Sequence, residues 1–253
     1  MDNSMTQTRE IDDLSGFQGK ALKRAGKLMK RGVISFGPTY TLLHYLIRRV
    51  ETEGRGAALA VSQASDGILD QMESLIEIPK GPQRAVEAHK RIDQSLAHSR
   101  KGPATVHTTP ICRKGCSDCC HLMPVISDSE ADLIAAFVRS QSVEVNVDRL
   151  RLQAEQAGRE DFARLLSWED SACVFLTKDG SCGIYKVRPS NCRKHAMAFS
   201  SAFCDPRKQM DAPVVINEGA ELVTSALLNL EERLNMTEHP TLAKGIIERL
   251  QPN

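Results

Sequence analysis

Eight cysteines define the chemistry open to this chain: Cys112, Cys116, Cys119, Cys120, Cys173, Cys182, Cys192 and Cys204. Four fall within nine residues, as Cys112-x3-Cys116-x2-Cys119-Cys120, amid Arg113, Lys114, Ser117 and Asp118. The others form a second group, Cys173-x8-Cys182-x9-Cys192, with Cys204 twelve residues further on. A free cysteine is often a small buried apolar residue, and Cys204 suits that role best. Four thiols in one polar stretch do not. Two groups about fifty residues apart, each offering neighbouring thiols, is how a chain encloses a metal.

Thiolates are soft donors, favoured by Zn²⁺, Cu(I) and iron–sulfur clusters. Four of them around one Zn²⁺ or one [4Fe–4S]²⁺ core leave roughly two negative charges, which nearby cations and N–H donors offset. Arg113, Lys114, Arg188, Arg193 and Lys194 flank the cysteines and can supply that. All eight cysteines are therefore candidate ligands. Arg188 and Arg193 are candidates for groups around them. His121 and His195 adjoin the cysteines and are candidates for a mixed ligand set or for orienting it. Pro189 should shape the turn into Cys192, since it fixes φ and lacks an N–H. The thiols of Cys116, Cys119, Cys120, Cys173, Cys182 and Cys192 are expected to converge. Vicinal side chains such as Cys119 and Cys120 diverge in extended chain. That divergence, the x3–x2 spacing and the surplus of thiols favour an iron–sulfur cluster over zinc.

The elements that must position these residues read as mainly helical. Leu42, Tyr45, Leu46 and Val50 repeat with helical period, as do Ile68, Met72 and Leu75, and, after Pro82, Ala85, His89, Ile92 and Leu96. His89 lies inside its stripe and reads as a core or boundary histidine. Lys101-Gly102-Pro103 breaks the pattern. Ser127-Asp128-Ser129-Glu130 spells a capping box ahead of a stripe of Leu133, Phe137 and Val138. Residues 147–166 read as helix, with Leu150, Ala154, Ala157 and Leu165 as core. Cys173-Val174-Phe175-Leu176 and Cys182-Gly183-Ile184-Tyr185 are β-prone, and Asp179-Gly180 between them signals a tight turn, so a small β-hairpin is expected there. Val214-Val215-Ile216 reads as an isolated strand. Asn217 then caps a helix carrying Leu222, Ala226, Leu230 and Leu234, and Thr241 opens a last helix with Leu242, Ile246 and Leu250. The expected fold is mainly α and bundle-like, with a small β-hairpin near the cysteines. The expected organisation is a polar and basic leader over 1–35, a helical region over 36–104, a cysteine-cluster domain over 105–205 and C-terminal helices over 206–253.

Composition narrows the function classes. The 253 residues carry 33 Lys and Arg against 32 Asp and Glu, so the balance gives no signal for a nucleic-acid coat. Aromatics are 4% of the chain, which disfavours stacking as the main mode of ligand recognition. No apolar run is long enough to cross a membrane. Met1–Asp13 is polar and acidic and lacks the apolar core of a secretory signal, so a reducing, cytoplasmic location is expected, where clustered cysteines hold metal or do redox chemistry rather than form disulfides. The basic stretch 20–31 (Lys20, Lys23, Arg24, Lys27, Lys30, Arg31) reads as a solvated helix face.

Cys112-x3-Cys116-x2-Cys119 is also the spacing of the radical-SAM motif. Asp118 stands where those enzymes usually carry an aromatic residue, and their repeated βα units have no counterpart in this sequence. A closer likeness lies in the combination Cys116-Ser117-Asp118-Cys119-Cys120, Cys173-Val174-Phe175-Leu176, Gly180-Ser181-Cys182-Gly183-Ile184-Tyr185 and Arg188-Pro189-Ser190-Asn191-Cys192-Arg193. Over about residues 110–200 this resembles the YkgJ-type cysteine-cluster family, described as zinc- or iron-chelating. A common form there is C-x2-C-x2-CC, one residue shorter in its first gap. The flagellin lysine N-methylases look like distant relatives. The resemblance implies a metal-chelating protein with an iron–sulfur cluster or zinc, and a cluster-dependent protein-modifying activity; the expected function is then a transferase or redox enzyme acting on a protein or a small molecule. The alternative is a structural-zinc binding module without catalysis.

Overall fold

Two apolar cores, built by helices from both halves of the chain, carry the cysteine loops. The structure, a computed structural model, describes residues 66–100, 110, 112–113, 115–156, 165–197, 200–208, 215–231 and 240–250. The basic stretch 20–31, the stripe from Leu42 to Val50, and Lys114, Ala157, Val214 and Leu234 lie outside those residues. The described part is mainly helical, and none of its helices is long and apolar enough to cross a membrane.

The first core joins three helices. Helix α1, over 66–76, buries Ile68, Leu69, Met72 and Leu75. Helix α2, Pro82–Ser99, follows after Gly81, whose φ of 116° favours glycine. Proline suits the first turn of α2 because no helical acceptor awaits its missing N–H. The face of α2 that includes Ala88 and Ile92 packs against Ala220, Val223, Ala226 and Leu227 of helix α7, Glu218–Leu230. The cap expected at Asn217 is present, its Oδ1 accepting the Ala220 amide at 2.8 Å.

The second core is built on helices α3, Asp128–Ser140, α4, Val147–Glu155, and α8, Leu242–Leu250. Ile134, Leu150, Leu242 and Ile246 meet Val174, Phe175 and Ile184 from the cysteine loops. The capping box is complete: Ser127 Oγ accepts the Glu130 amide at 3.2 Å and Glu130 Oε2 accepts the Ser127 amide at 2.9 Å. Short helices α5, Trp168–Ser171, and α6, Ser190–Lys194, and turns of 3₁₀ helix at Asp118–His121, Tyr185–Val187 and Ser201–Cys204 complete the site region.

Three expectations are corrected. The strand read over 214–216 does not form at its described residues, Val215 and Ile216, and Ile216 is 73% exposed. The β-hairpin does not form: Leu176 and Cys182 make one isolated antiparallel bridge, and no strand occurs among the described residues. The Asp179-Gly180 turn is present, with Gly180 at φ 76°. The chain on either side curls instead of extending. Leu176 N donates to Cys173 O at 2.9 Å, and Tyr185 N to Cys182 O at 3.1 Å, so each thiol-bearing segment closes its own turn. Leu165, expected in the core, is 40% exposed, because α4 stops at Glu155 and the core it feeds is closed by Leu150 and by Gln153, whose amide binds the Asp170 and Ala172 carbonyls.

Candidate metal centre

The first cysteine group is set by two tight turns. The Cys116 amide closes onto the Arg113 carbonyl at 3.0 Å, with Gly115 at φ 83°. The Cys120 amide then closes onto Ser117 at 2.8 Å, which winds Asp118–His121 into 3₁₀ helix. The backbone there is not extended, and the vicinal thiols do not diverge. Cys119 and Cys120 lie close enough to act directly on each other's proton affinity.

The second group is laid directly on the first. Cys173 N donates to Cys120 O at 2.8 Å. Gly183 N donates to Phe175 O at 2.8 Å, which folds the segment bearing Cys182 back over the one bearing Cys173. The turn at its tip touches the first group, since a Cβ on Gly180 would stand 3.2 Å from Gly115 O. Cys192 rides on α6, whose start is fixed by Glu130 Oε1 accepting the Ser190 amide at 2.6 Å.

These thiols act on one another electrostatically. The Cys120 side chain holds the Cys119 thiol down at about 7, with help from the Arg188 guanidinium, and Cys119 in turn raises the proton affinity of Cys120. Burial, then the charges of Cys182 and Cys119, raise Cys173 to about 11. Burial likewise raises Cys182, against the pull of Arg188. Cys192 keeps a solvent-exposed surface but sits among dense protein, so desolvation and then Cys173, Cys119 and Cys182 push it well up. Burial raises Cys116, with Cys112 and Cys119 adding to it. Burial, then Cys119, Cys116 and Cys112, lift Cys204 to about 12. Cys119 thus lies within electrostatic reach of Cys116 and Cys204 on one side and of Cys120, Cys173, Cys182 and Cys192 on the other, with Cys112 acting on Cys116 and Cys204.

Soft donors that raise one another's proton affinity suit a cation that would neutralise them, so the donor chemistry fits zinc or iron. Among the described residues no three Cys, His, Asp or Glu side chains are already drawn into a set that could hold one ion.

Arg188 lies within electrostatic reach of Cys119 and Cys182, stacks its guanidinium 4.1 Å from the Tyr185 ring centre, and keeps a buried Nε without a hydrogen-bond partner. Arg193 turns to α2, its Nη1 lying 3.0 and 2.8 Å from the two Asp93 oxygens. His121 is buried, stacked 3.4 Å from Trp168, and its Nδ1 lies 3.1 Å from Ser171 Oγ. Burial lowers the proton affinity of His121 and of His195, whose buried Nε2 is without a hydrogen-bond partner.

Two features escaped the sequence reading. Trp168 is sandwiched between His121 and Arg207, the latter 3.6 Å from its ring centre, and Asp205 holds Arg207 at 2.8 Å. The lone tryptophan was the available signal, but its partners His121 and Arg207 lie 47 residues before it and 39 after it. Glu130 was legible as half of a capping box, yet it also anchors the helix of Cys192.

Residues 111–213 match the family model CxxCxxCC, described as "Putative zinc- or iron-chelating domain". The match covers 103 of the 253 residues and agrees with the cysteine-cluster family that the motifs resemble, and metal chelation is the activity by which the matched domain is described. No curated protein and no solved structure matches the chain.

Proposed function

We propose that the cysteine domain holds an iron–sulfur cluster and that this cluster serves a redox or protein-modifying reaction. The observation that supports it is the six thiols within electrostatic reach of Cys119, which offer more donors than one closed four-ligand ion can use. Cys119, Cys120, Cys173, Cys182 and Cys192 are the proposed principal ligands, with Cys112, Cys116 and Cys204 beside them. Arg188 is the proposed counter-cation. Arg193, His121 and His195 support the loops around them. A cluster so placed would supply one-electron chemistry or a Lewis-acidic iron, while the chain supplies thiolates and their compensating cation.

A second reading has its own support. The Cys119–Cys120 contact in 3₁₀ helix removes the geometric objection to vicinal ligands on one ion, which favours structural zinc in a binding module. Anaerobically purified full-length protein separates the two. The cluster reading expects brown protein with stoichiometric iron and sulfide and broad absorption that dithionite bleaches. Colourless protein carrying stoichiometric zinc after growth with ample iron overturns it.

A further inference from the structure

A groove of about 470 Å³ opens on the face of α2 that passes α3 and the Tyr185–Val187 turn. It contains groups that the metal chemistry does not use. Its apolar walls are Val86, Ala97, Leu133 and Val187. Val86 is 52% exposed although it is a valine on a helix with a well-packed opposite face. Between the apolar ends lie His89 and Lys90, with Lys186 across the gap. Asp93, also on the rim, is already held by Arg193.

His89 is the distinctive member. Its ring is buried, and Nε2 lies 3.1 Å from Glu130 Oε1. Glu130 is fully committed, since its two oxygens also take the Ser127 and Ser190 amides at 2.9 and 2.6 Å. A carboxylate accepting two backbone N–H bonds stays ionised, so Nε2 is the nitrogen that donates to it. The other nitrogen, Nδ1, makes no hydrogen bond to a described residue, and the ring lines the groove. A polar ring atom held in fixed orientation, bordered by two ammonium groups and flanked by apolar walls, is the usual composition of a small-molecule site.

We propose that this groove binds a small amphipathic carboxylate. Its apolar body lies on Val86, Ala97, Leu133 and Val187. Its carboxylate accepts from Nδ1–H of His89 and faces Lys186 and Lys90, the latter also 3.7 Å from Glu87 Oε2. His89 then bridges two carboxylates, donating from Nε2 to Glu130 and from Nδ1 to the ligand. The site is independent of whether the cysteines hold iron or zinc.

Octanoate is the probe. Titrated into full-length protein with ¹⁵N-labelled histidine, it is expected to shift the His89 Nδ1 resonance saturably, with a Kd of about 1 mM or tighter. Octanol, with the same chain and no charge, is expected to bind at least about tenfold more weakly. Val86→Glu and Lys186→Glu change exposed groove residues, so both variants should keep the far-UV circular dichroism of the parent while losing about tenfold in octanoate affinity. Absence of a saturable shift, equal affinity for octanol, or unchanged affinity in both variants overturns the proposal.

Discussion

Glu130 shows how one side chain links several levels of this molecule. It is half of the α3 capping box, the partner of His89 and the anchor of the helix that carries Cys192. Burial alone would raise its proton affinity, but the hydrogen bond and charge of His89 and the Ser127 and Ser190 amides outweigh that and leave it below the ordinary 4.5. A carboxyl that binds its proton less readily folded than unfolded contributes stability that is present above the unfolded value and disappears as pH falls through the folded one. Urea unfolding of the parent is therefore expected to weaken steeply as pH drops below 4.5, and that of Glu130→Gln to weaken less. Near neutral pH, Glu130→Ala strands two buried amides and a histidine, and a loss of about 3–5 kcal/mol is expected. A pH profile for Glu130→Gln that parallels the parent would show that the carboxylate is not the source. The sequence exposed the Ser127–Glu130 part of this through local spacing. His89 and Ser190 lie 41 and 60 residues from Glu130, and no local pattern encodes such pairings.

Among the elements, the legible ones were those whose signal is local and repeated. The stripes of α2, α3, α7 and α8 and the caps at Ser127 and Asn217 each follow from residues within a few positions of one another. The hairpin failed because β-propensity describes fit to a pleated surface, and among the described residues no second strand lies against Cys173–Leu176. Its backbone groups are satisfied instead by turns and by Cys120, contacts made to place thiols rather than to extend a ladder. The premise of diverging vicinal cysteines failed for a related reason, since it assumed extended chain where the Ser117–Cys120 turn winds 3₁₀ helix. Asn217 tests the cap. Beyond the Ala220 amide, its Oδ1 accepts Ser95 Oγ at 2.7 Å, and its Nδ2 donates to Ser95 O at 3.3 Å and to Ser99, so it ties the start of α7 to the end of α2. Asn217→Ala is expected to cost about 1–2 kcal/mol in urea unfolding with an unchanged m-value, and Asn217→Asp, which keeps the cap while losing the Nδ2 donors to Ser95 and Ser99, less than Asn217→Ala. Equal losses in the two variants would place the cost outside the cap.

Across the whole molecule, the two apolar cores meet along a polar seam that brings residues of both halves together at the start of α3. Glu231, just past α7, accepts Arg84 Nη1 of α2 at 3.1 Å and the Ser129 amide at 2.7 Å, and also bonds the Ser129 hydroxyl. Arg84 spends its other donors on the Ile78 carbonyl, at 3.1 and 2.8 Å, and Ser129 Oγ accepts the Gly81 amide at 2.8 Å. Arg84 and Glu231 are almost fully buried. Such a pair is weak support for net stability as a whole, because desolvation offsets most of the attraction, but removing one partner leaves an unpaired buried charge. Glu231→Ala is therefore expected to cost about 3–5 kcal/mol. Arg84→Met combined with Glu231→Gln should cost less than the two single losses together, by about 1–3 kcal/mol, since the residues share one network. Trp168 lies in the cysteine-bearing half, while circular dichroism reads the helices of both cores. If the seam makes the cores one cooperative unit, tryptophan fluorescence and circular dichroism should give coincident urea transitions in the parent. In Glu231→Ala the two transitions should move together to lower urea, or separate if the cores can part. A Glu231→Ala midpoint within about 0.5 kcal/mol of the parent would mean that packing of α2 against α3 holds the cores together without the charges.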